Sequence, residues 1–265
     1  MSEGYTIVLG SGGARGMAHI GVMLYLEEKK IPIKAIVGCS IGAELGAFWA
    51  TGAPAGAFRD IVLGLSWKDS LKIFFPNRIR GGFSSGPGAL YFINHFLRGK
   101  DIQNFPIPFA ATATDYHTGK PVMLTTGSAT QAVRASIAIP GALTPVHFQG
   151  KLLLDGAVSA PLPLAWSLKT YGYPIIAVNI QDSTPPKTGK LPGPIGSLRH
   201  ANCLMQSRLV SQELEHSPPE ILIEPRVTGF STFKFHAAKA LINEGYRAAK
   251  RVFEQEKPDT GVADK

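Results

Sequence analysis

Residues 33–50 constrain the fold of this chain more than any other stretch. Ile33, Ala35, Ile36 and Val37 read as a short buried strand and residues 43–50 as a helix, with Gly38-Cys39-Ser40-Ile41-Gly42 between them. A serine on a sharp strand-to-helix turn, bracketed by glycines, is a nucleophile elbow. Gly38 and Gly42 are needed because a Cβ would collide where strand and helix nearly touch, and the turn forces an awkward backbone. The Ser40 hydroxyl is lifted to the helix N-terminus, whose partial positive charge favours a developing oxyanion. Cys39 is expected to point away from Ser40 and to act as a small buried packer rather than a rival nucleophile.

Upstream, residues 5–9 are apolar and β-prone and lead into Gly10-Ser11-Gly12-Gly13-Ala14-Arg15-Gly16. A helical pattern follows over 17–29, with apolar Ile20, Met23 and Leu24 and polar Glu27, Glu28 and Lys29. The first fifty residues thus spell strand, glycine loop, helix, strand, elbow, helix, the order of a parallel sheet with helices on its faces. The loop is not a dinucleotide fingerprint. A Gly-x-Gly-x-x-Gly match from Gly10 needs glycine at position 15, where Arg15 stands, and the second strand ends in the elbow rather than in an acidic residue. Such a loop can instead offer backbone N–H groups to a small anion, here an acyl oxyanion beside Ser40. The bland alternative is that its glycines only permit tight strand–helix packing. Arg15 either supports the loop by bonding its carbonyls or is solvated.

Residues 51–100 are the least regular. Trp67, Phe74, Phe75, Phe83, Tyr91, Phe92 and Phe96 are interleaved there with Lys68, Lys72, Arg78, Arg80 and Arg98. The segment reads either as a lid or membrane-facing cap, or as helices folded onto the sheet. Strands are expected over 109–114, 122–124, 152–154, 175–180 and 221–224, and helices over 130–136, 198–214 and 237–254. The proline- and glycine-rich stretch 183–196 reads as a mobile loop, and the tail 259–265 as frayed. No linker divides the chain, so residues 1–258 are expected to form a single domain.

Composition narrows the class. With 265 residues, 45% of them hydrophobic, the chain can bury the core of one large α/β domain. Two cysteines, Cys39 and Cys203, make no disulfide framework. No signal peptide and no run of about 20 apolar residues is read, so a cytoplasmic protein is expected, with the inner membrane face as a site of peripheral contact. The net charge of +8 fits a plain basic surface, attraction to anionic membranes or, least of all, nucleic acid. Its basic residues form no dense cluster, and no zinc spacing or RNA-binding aromatic motif accompanies them, so no nucleic-acid partner is expected.

A serine hydroxyl needs a group to take its proton. His19, His95, His117, His147, His200, His216 and His236 are available, but none sits in a recommending context. His147 is the best of them, lying shortly before Asp155, while His19 is expected to face solvent or to pack. Asp155 ends a strand and is followed by Gly156 and Ala157, and strand ends are where α/β sites assemble. Its ordinary pKa of about 3.9 makes it a weak base unless burial raises it. The alternative is a strand-end turn aspartate.

Taken together, Gly12-Gly13-Ala14-Arg15-Gly16, Gly38-Cys39-Ser40-Ile41-Gly42 and Asp155-Gly156-Ala157 resemble the glycine-rich, elbow and Asp-Gly-Gly/Ala motifs of patatin-like phospholipases, which are serine–aspartate acyl hydrolases. Softer matches are Ala113-Thr114-Asp115 with Thr118-Gly119, Arg134-Ala135-Ser136 through Pro140-Gly141 to Pro145-Val146, and Gly245-Tyr246. The resemblance implies a three-layer α/β/α sandwich around a mainly parallel central sheet. It also implies a Ser40–Asp155 dyad, an oxyanion hole from Gly12, Gly13, Ala14 and Ile41, loop support from Arg15 and Gly16, and an elbow shaped by Gly38 and Gly42. The implied substrates are fatty-acyl esters of phospholipids or lysophospholipids, cleaved without a metal or organic cofactor. The family often has asparagine and a nearby proline after its Asp-Gly motif. Here Ser159-Ala160-Pro161 stands instead, which leaves the bracing of the aspartate loop open. A lipid- or membrane-binding regulatory protein on the same scaffold is the alternative from another class. Oligomeric state is not legible.

Overall fold

The seven expected strands pair into one eight-stranded sheet, completed by a short strand over Val146–Phe148 that was not expected. The structure is a computed structural model that describes residues 4–64, 93–182, 193–230 and 237–255. Its elements are β1 (Tyr5–Leu9), α1 (Met17–Glu28), β2 (Ile33–Cys39), α2 (Ile41–Ala50), α3 (Ala55–Gly64), β3 (Phe109–Asp115), β4 (Pro121–Leu124), α4 (Ala129–Ser136), β5 (Val146–Phe148), β6 (Lys151–Asp155), α5 (Leu164–Tyr171), β7 (Ile175–Val178), α6 (Pro194–His216), β8 (Ile221–Ile223) and α7 (Ala238–Gln255). The helix expected over 198–214 starts earlier, so 194–196 are helical rather than loop. Pro194 occupies the first turn, where its missing N–H costs nothing. Residues 183–192 of the expected mobile loop, and the tail 259–265, lie outside the described residues.

The pairing path runs β5-β6-β3-β2-β1-β7-β8, with β4 also paired to β3. The sheet is parallel along β3-β2-β1-β7-β8. It is antiparallel where β4 and β6 meet β3 and where β5 meets β6. The mainly parallel expectation therefore holds for the centre and one edge, and the other edge makes the sheet mixed. The turn Asp115–Lys120 is too short for a crossover, so β4 must return antiparallel.

Inner strands are buried on both faces, and their side chains alternate between two cores. Ile7, Leu9, Ile36, Phe109, Ala111, Ile176 and Val178 join the larger core with α1, α2 and α7. Val8, Val37, Ala110, Ile175 and Ala177 face the smaller one with Leu164 of α5 and Val210 of α6. This two-sided burial makes the three layers. In the larger core α1 and α7 cross in backbone contact: the place of a Cβ on Gly21 is taken by Ile242 O, and that on Gly245 by Ala18 O. Tyr25 packs edge-on against Tyr246, whose hydroxyl donates to Glu28 Oε2 at 2.6 Å.

Both described ends of the 51–100 segment are folded onto this core. Phe58 stacks on Phe48, Phe96 packs against the same ring, and Ile93 and Leu97 are fully buried. Residues 65–92, which carry most of the aromatic and basic side chains of the expected lid, lie outside the described residues.

Candidate active site

Strand register brings Ser40 and Asp155 together. On β3, Ala113 and Thr114 pair with β4 and β6 at once, so these two strands occupy opposite edges of β3. Ala111 and Thr112 likewise pair with β4 and β2, which puts β2 and β6 on the same edge. Cys39, at the end of β2, pairs with Thr112, and Asp155, at the end of β6, pairs with the next residue, Ala113. Two strands running toward each other along one edge thus meet at their carboxyl ends. Ser40 Oγ donates to Asp155 Oδ2 across that junction at 2.7 Å. Both side chains are nearly enclosed, Ser40 being 6% and Asp155 3% exposed.

The elbow backbone is strained as expected. Ser40 has φ 56° and ψ −122°, a region L-residues avoid. A Cβ on Gly38 would strike Gly42 O and Ala43, and one on Gly42 would strike Leu9 O. Ser40 N–H donates to Ser136 Oγ at 2.9 Å, and the Ser136 hydroxyl donates in turn to Thr112 O at 2.6 Å. This brace holds the turn without using the Ser40 hydroxyl. Ser40→Gly and Ser40→Ala both lose that hydroxyl and differ in backbone freedom. The glycine variant is therefore expected to be the more stable of the two by about 1 kcal/mol, a few degrees in melting temperature. Equal melting temperatures in thermal denaturation would refute strain at this position.

Asp155 is held from several sides. Its Oδ1 accepts from Ala157 N–H at 2.8 Å, and its backbone N–H donates to Ala138 O at 3.1 Å. Thr114 Oγ1 donates to Asp155 O at 2.9 Å and lies 2.8 Å from Ser159 Oγ. Ser159 thus supplies the bracing left open by the departure from the family pattern. Burial pushes the Asp155 carboxyl up to about 7, against the opposing pull of the Ala157 N–H and Ser40 hydroxyl. Cys39 is fully buried, and its thiol is pushed well up by burial and by the nearby Asp155 charge, as suits a packer. Glu44, one turn beyond Ser40, is also buried and pushed up to about 7 by burial.

Gly13–Gly16 forms a 3-10 turn with Gly12 before it, and Gly13 takes φ 59°. The leading N–H groups of a helical turn, here those of Gly13 and Ala14, have no partner within it, and no side chain caps Gly12. The Ile41 side chain fills the place of a Cβ on Gly16, so the glycine turn is seated against the first residue of α2. Gly12, Gly13, Ala14 and Ile41 therefore belong to two helix starts in contact.

Arg15 does not bond the carbonyls of its own loop, nor is it solvated. Its Nε donates to Phe230 O at 2.9 Å, Nη1 donates to Asp182 O and Nη2 pairs with Asp182 Oδ2, each at 3.3 Å. The loop is anchored from outside because a guanidinium at the end of a long stem reaches past its own turn. His19 is buried, not solvent-facing, and its Nε2 lies 2.8 Å from Gly10 O. Burial pushes it down to about 4, so it is neutral and donates that proton to the carbonyl. Gln181 Nε2 donates to Ser11 Oγ at 2.7 Å and to Ser11 O at 3.1 Å. The sequence points to Ser136 only as part of a soft motif match, and gives no sign of its brace, of Gln181 or of the bond made by His19, because each acts across a contact that no local pattern encodes.

Among the described residues no histidine bonds Ser40 or Asp155. His147 is exposed on β5, and His216 Nδ1 lies 2.7 Å from Gln212 O at the end of α6. His236 lies outside the described residues. Among those described, no group of three or more His, Cys, Asp or Glu side chains could hold a metal ion, and no helix is long and apolar enough to cross a membrane.

A family model described as patatin-like phospholipase matches residues 7–166, more than half of the chain, and spans both Ser40 and Asp155. An uncharacterised NTE family protein of Mycobacterium tuberculosis is 38% identical over 60% of this chain and 44% of its own length. Lysophospholipase NTE1 of Coccidioides immitis is 29% identical over 97% of this chain and 18% of its own length. The chain spans less than half the length of both relatives. Among solved structures, full-length ExoU with SpcU from Pseudomonas aeruginosa gives a TM-score of 0.55 at 15% identity, over 96% of this chain and 53% of that chain. VipD from Legionella pneumophila gives 0.50 at 12% identity, over 96% and 67%. These two likenesses establish the fold alone.

Proposed function

The chain belongs to the patatin-like phospholipase family, and from that premise we propose that it hydrolyses fatty-acyl carboxylic esters of lysophospholipids or phospholipids through a Ser40–Asp155 dyad. The observation that carries this reading is the 2.7 Å hydrogen bond from the elbow serine to a strand-end carboxylate whose proton affinity is raised by burial. A carboxylate with an ordinary pKa accepts a hydroxyl proton poorly. One raised to about 7 is a better base and is still substantially ionised near neutrality.

Asp155 Oδ2 takes the Oγ proton as Ser40 Oγ bonds to the ester carbonyl carbon. The carbonyl oxygen becomes an oxyanion, held by N–H groups of Gly12, Gly13, Ala14 and Ile41 at the two helix starts. The carbon–oxygen bond to the alcohol then breaks, and the alcohol leaves with the proton from Asp155. Water next attacks the acyl-serine and gives its proton to Asp155. Collapse of the second oxyanion releases the fatty acid and returns that proton to Ser40. Arg15, His19 and Gln181 are positioning residues, since each holds the glycine loop by groups other than the N–H donors assigned to the oxyanion. The name lysophospholipase, borne by the fungal relative, supports a single-chain lipid as the first substrate to try.

Labelling with a fluorophosphonate, followed by intact mass and peptide mapping, tests this reading. One adduct on Ser40 is expected, strongly slowed in Asp155→Asn. An unlabelled wild-type protein that is folded, with detergent or anionic vesicles present, would overturn it. The dyad also fixes a pH dependence. Asp155 must be ionised to act as base, so kcat/KM is expected to rise with pH with its half-point near 7. Glu44 titrates in the same range, so the profile of Glu44→Gln is the control. A half-point that moves away in that variant would reassign the titration to Glu44.

A further inference from the structure

We propose that the amino-terminal half of α6 is the surface by which this protein seats its active site on an anionic lipid bilayer, an inference that rests on and deepens the lipid-hydrolase reading above. Leu198 is 71%, Met205 59% and Leu204 48% exposed, so three large apolar side chains of one helix stand in water. Leu198, Ala201 and Met205 follow the i, i+3, i+7 spacing of a single helix face, and all three are exposed. The opposite face carries half-buried Cys203 and Ser207, then Val210 and Leu214, which pack against the smaller core. The outer stripe is thus a second apolar face on a helix whose core-facing side is already in use.

Charge and position select the occupant. Arg199 and Arg208 are exposed on either side of the stripe, and no acidic residue occurs on the helix before Glu213. Apolar side chains flanked by cations suit the boundary between anionic head groups and acyl chains. The chain as a whole carries a formal charge of +8, which adds long-range attraction to such a surface. Next to Met205, Gln206 Oε1 accepts from Gln181 Nε2 at 3.2 Å, and the same Nε2 donates to Ser11 in the glycine loop. The stripe therefore ends near the loop assigned to the oxyanion and runs away from it for about 10 Å. Seating this helix on a bilayer brings the glycine loop, which Gln181 ties to it, toward the lipid.

Flotation with vesicles of phosphatidylcholine and phosphatidylglycerol tests the proposal. Wild-type protein should float with these vesicles, bind pure phosphatidylcholine weakly and be released by salt. Leu198→Ser combined with Met205→Ser should lower the bound fraction about tenfold. Arg199→Gln and Arg208→Gln should each lower it about fivefold at low salt. All variants should hydrolyse a water-soluble short-chain ester like the wild type. Wild-type protein that stays in the aqueous phase, equal binding to both vesicle types, or variants that float undiminished would each overturn the proposal. Loss of a dimer in the serine variants with vesicle binding unchanged would also overturn it, marking the stripe as a contact between copies. If vesicle binding behaves as expected but the short-chain ester is untouched by wild-type protein, the dyad reading fails and the membrane surface stands.

Discussion

Ser40→Ala protein is expected to fold like the wild type and to lose roughly 10⁴- to 10⁶-fold in kcat/KM toward acyl esters, the loss typical when a nucleophile with a dedicated base is removed. Folding should survive because the elbow is held through the Ser40 backbone. Its N–H donates to Ser136 Oγ, and Ser136 is tied to Thr112 of β3, so the brace does not pass through the hydroxyl. Asp155→Asn should cost less, about 10²- to 10⁴-fold, because the serine and the oxyanion donors remain and only proton acceptance is lost. Combining the two substitutions should cost little more than Ser40→Ala alone, since a base without a nucleophile has no proton to take. Steady-state kinetics on the three variants, with near-ultraviolet circular dichroism to verify folding, decide the matter. A Ser40→Ala enzyme within tenfold of wild type would remove Ser40 from the chemistry.

The same Asp155→Asn substitution that is expected to impair catalysis should stabilise the protein above neutral pH. The folded carboxyl is raised from 3.8 to about 7, so between those values the folded state binds a proton that the unfolded chain releases. The stability contributed by the protonated carboxyl is fully present below about 4. It is lost as pH rises through 7, beyond which the folded state holds a buried charge. Asparagine cannot ionise, and its amide keeps an oxygen for Ala157 N–H and an N–H for Ser40 Oγ. The stability difference between variant and wild type should therefore shift toward the variant by a few kcal/mol between pH 4 and pH 8. Glu44 is raised in the same direction, but it is common to both proteins and cancels in the difference. Urea denaturation of both proteins at the two pH values measures this. A difference independent of pH would mean that Asp155 is not desolvated in the folded protein.

Much of the site was legible because it is local. The Gly38–Gly42 elbow, the Gly10–Gly16 loop and the Asp155-Gly156-Ala157 end of β6 announce themselves through glycines at places where a Cβ has no room. The strand and helix sequence of the first fifty residues follows from apolar periodicity, whereas the short elements α3, β5 and α5 carry no pattern strong enough to announce them. What the sequence leaves out shares one cause. The sequence around Arg15 offers it only its own loop or solvent, whereas its partners are Asp182 and Phe230. Of the two readings open for His19, facing solvent or packing, it packs: it is fully buried, and the bond from its ring to Gly10 O is what the sequence does not show. The antiparallel edge formed by β4, β5 and β6 is invisible to a pattern that reports strands but not their partners.

The chain by itself determined where a serine elbow, an anion-ready glycine loop and a strand-end aspartate occur, because steric room at a glycine and the pitch of a strand or helix are properties of neighbours in sequence. Only the tertiary structure decided that Ser40 and Asp155, 115 positions apart, lie within a hydrogen bond of each other. That contact depends on β2 and β6 sharing one edge of β3 in a register where Thr112 and Ala113 are consecutive. It also decided that the Asp155 carboxyl holds its proton more tightly than a free one, since proton affinity is set by the water that every surrounding layer excludes, and no short stretch of sequence carries that quantity.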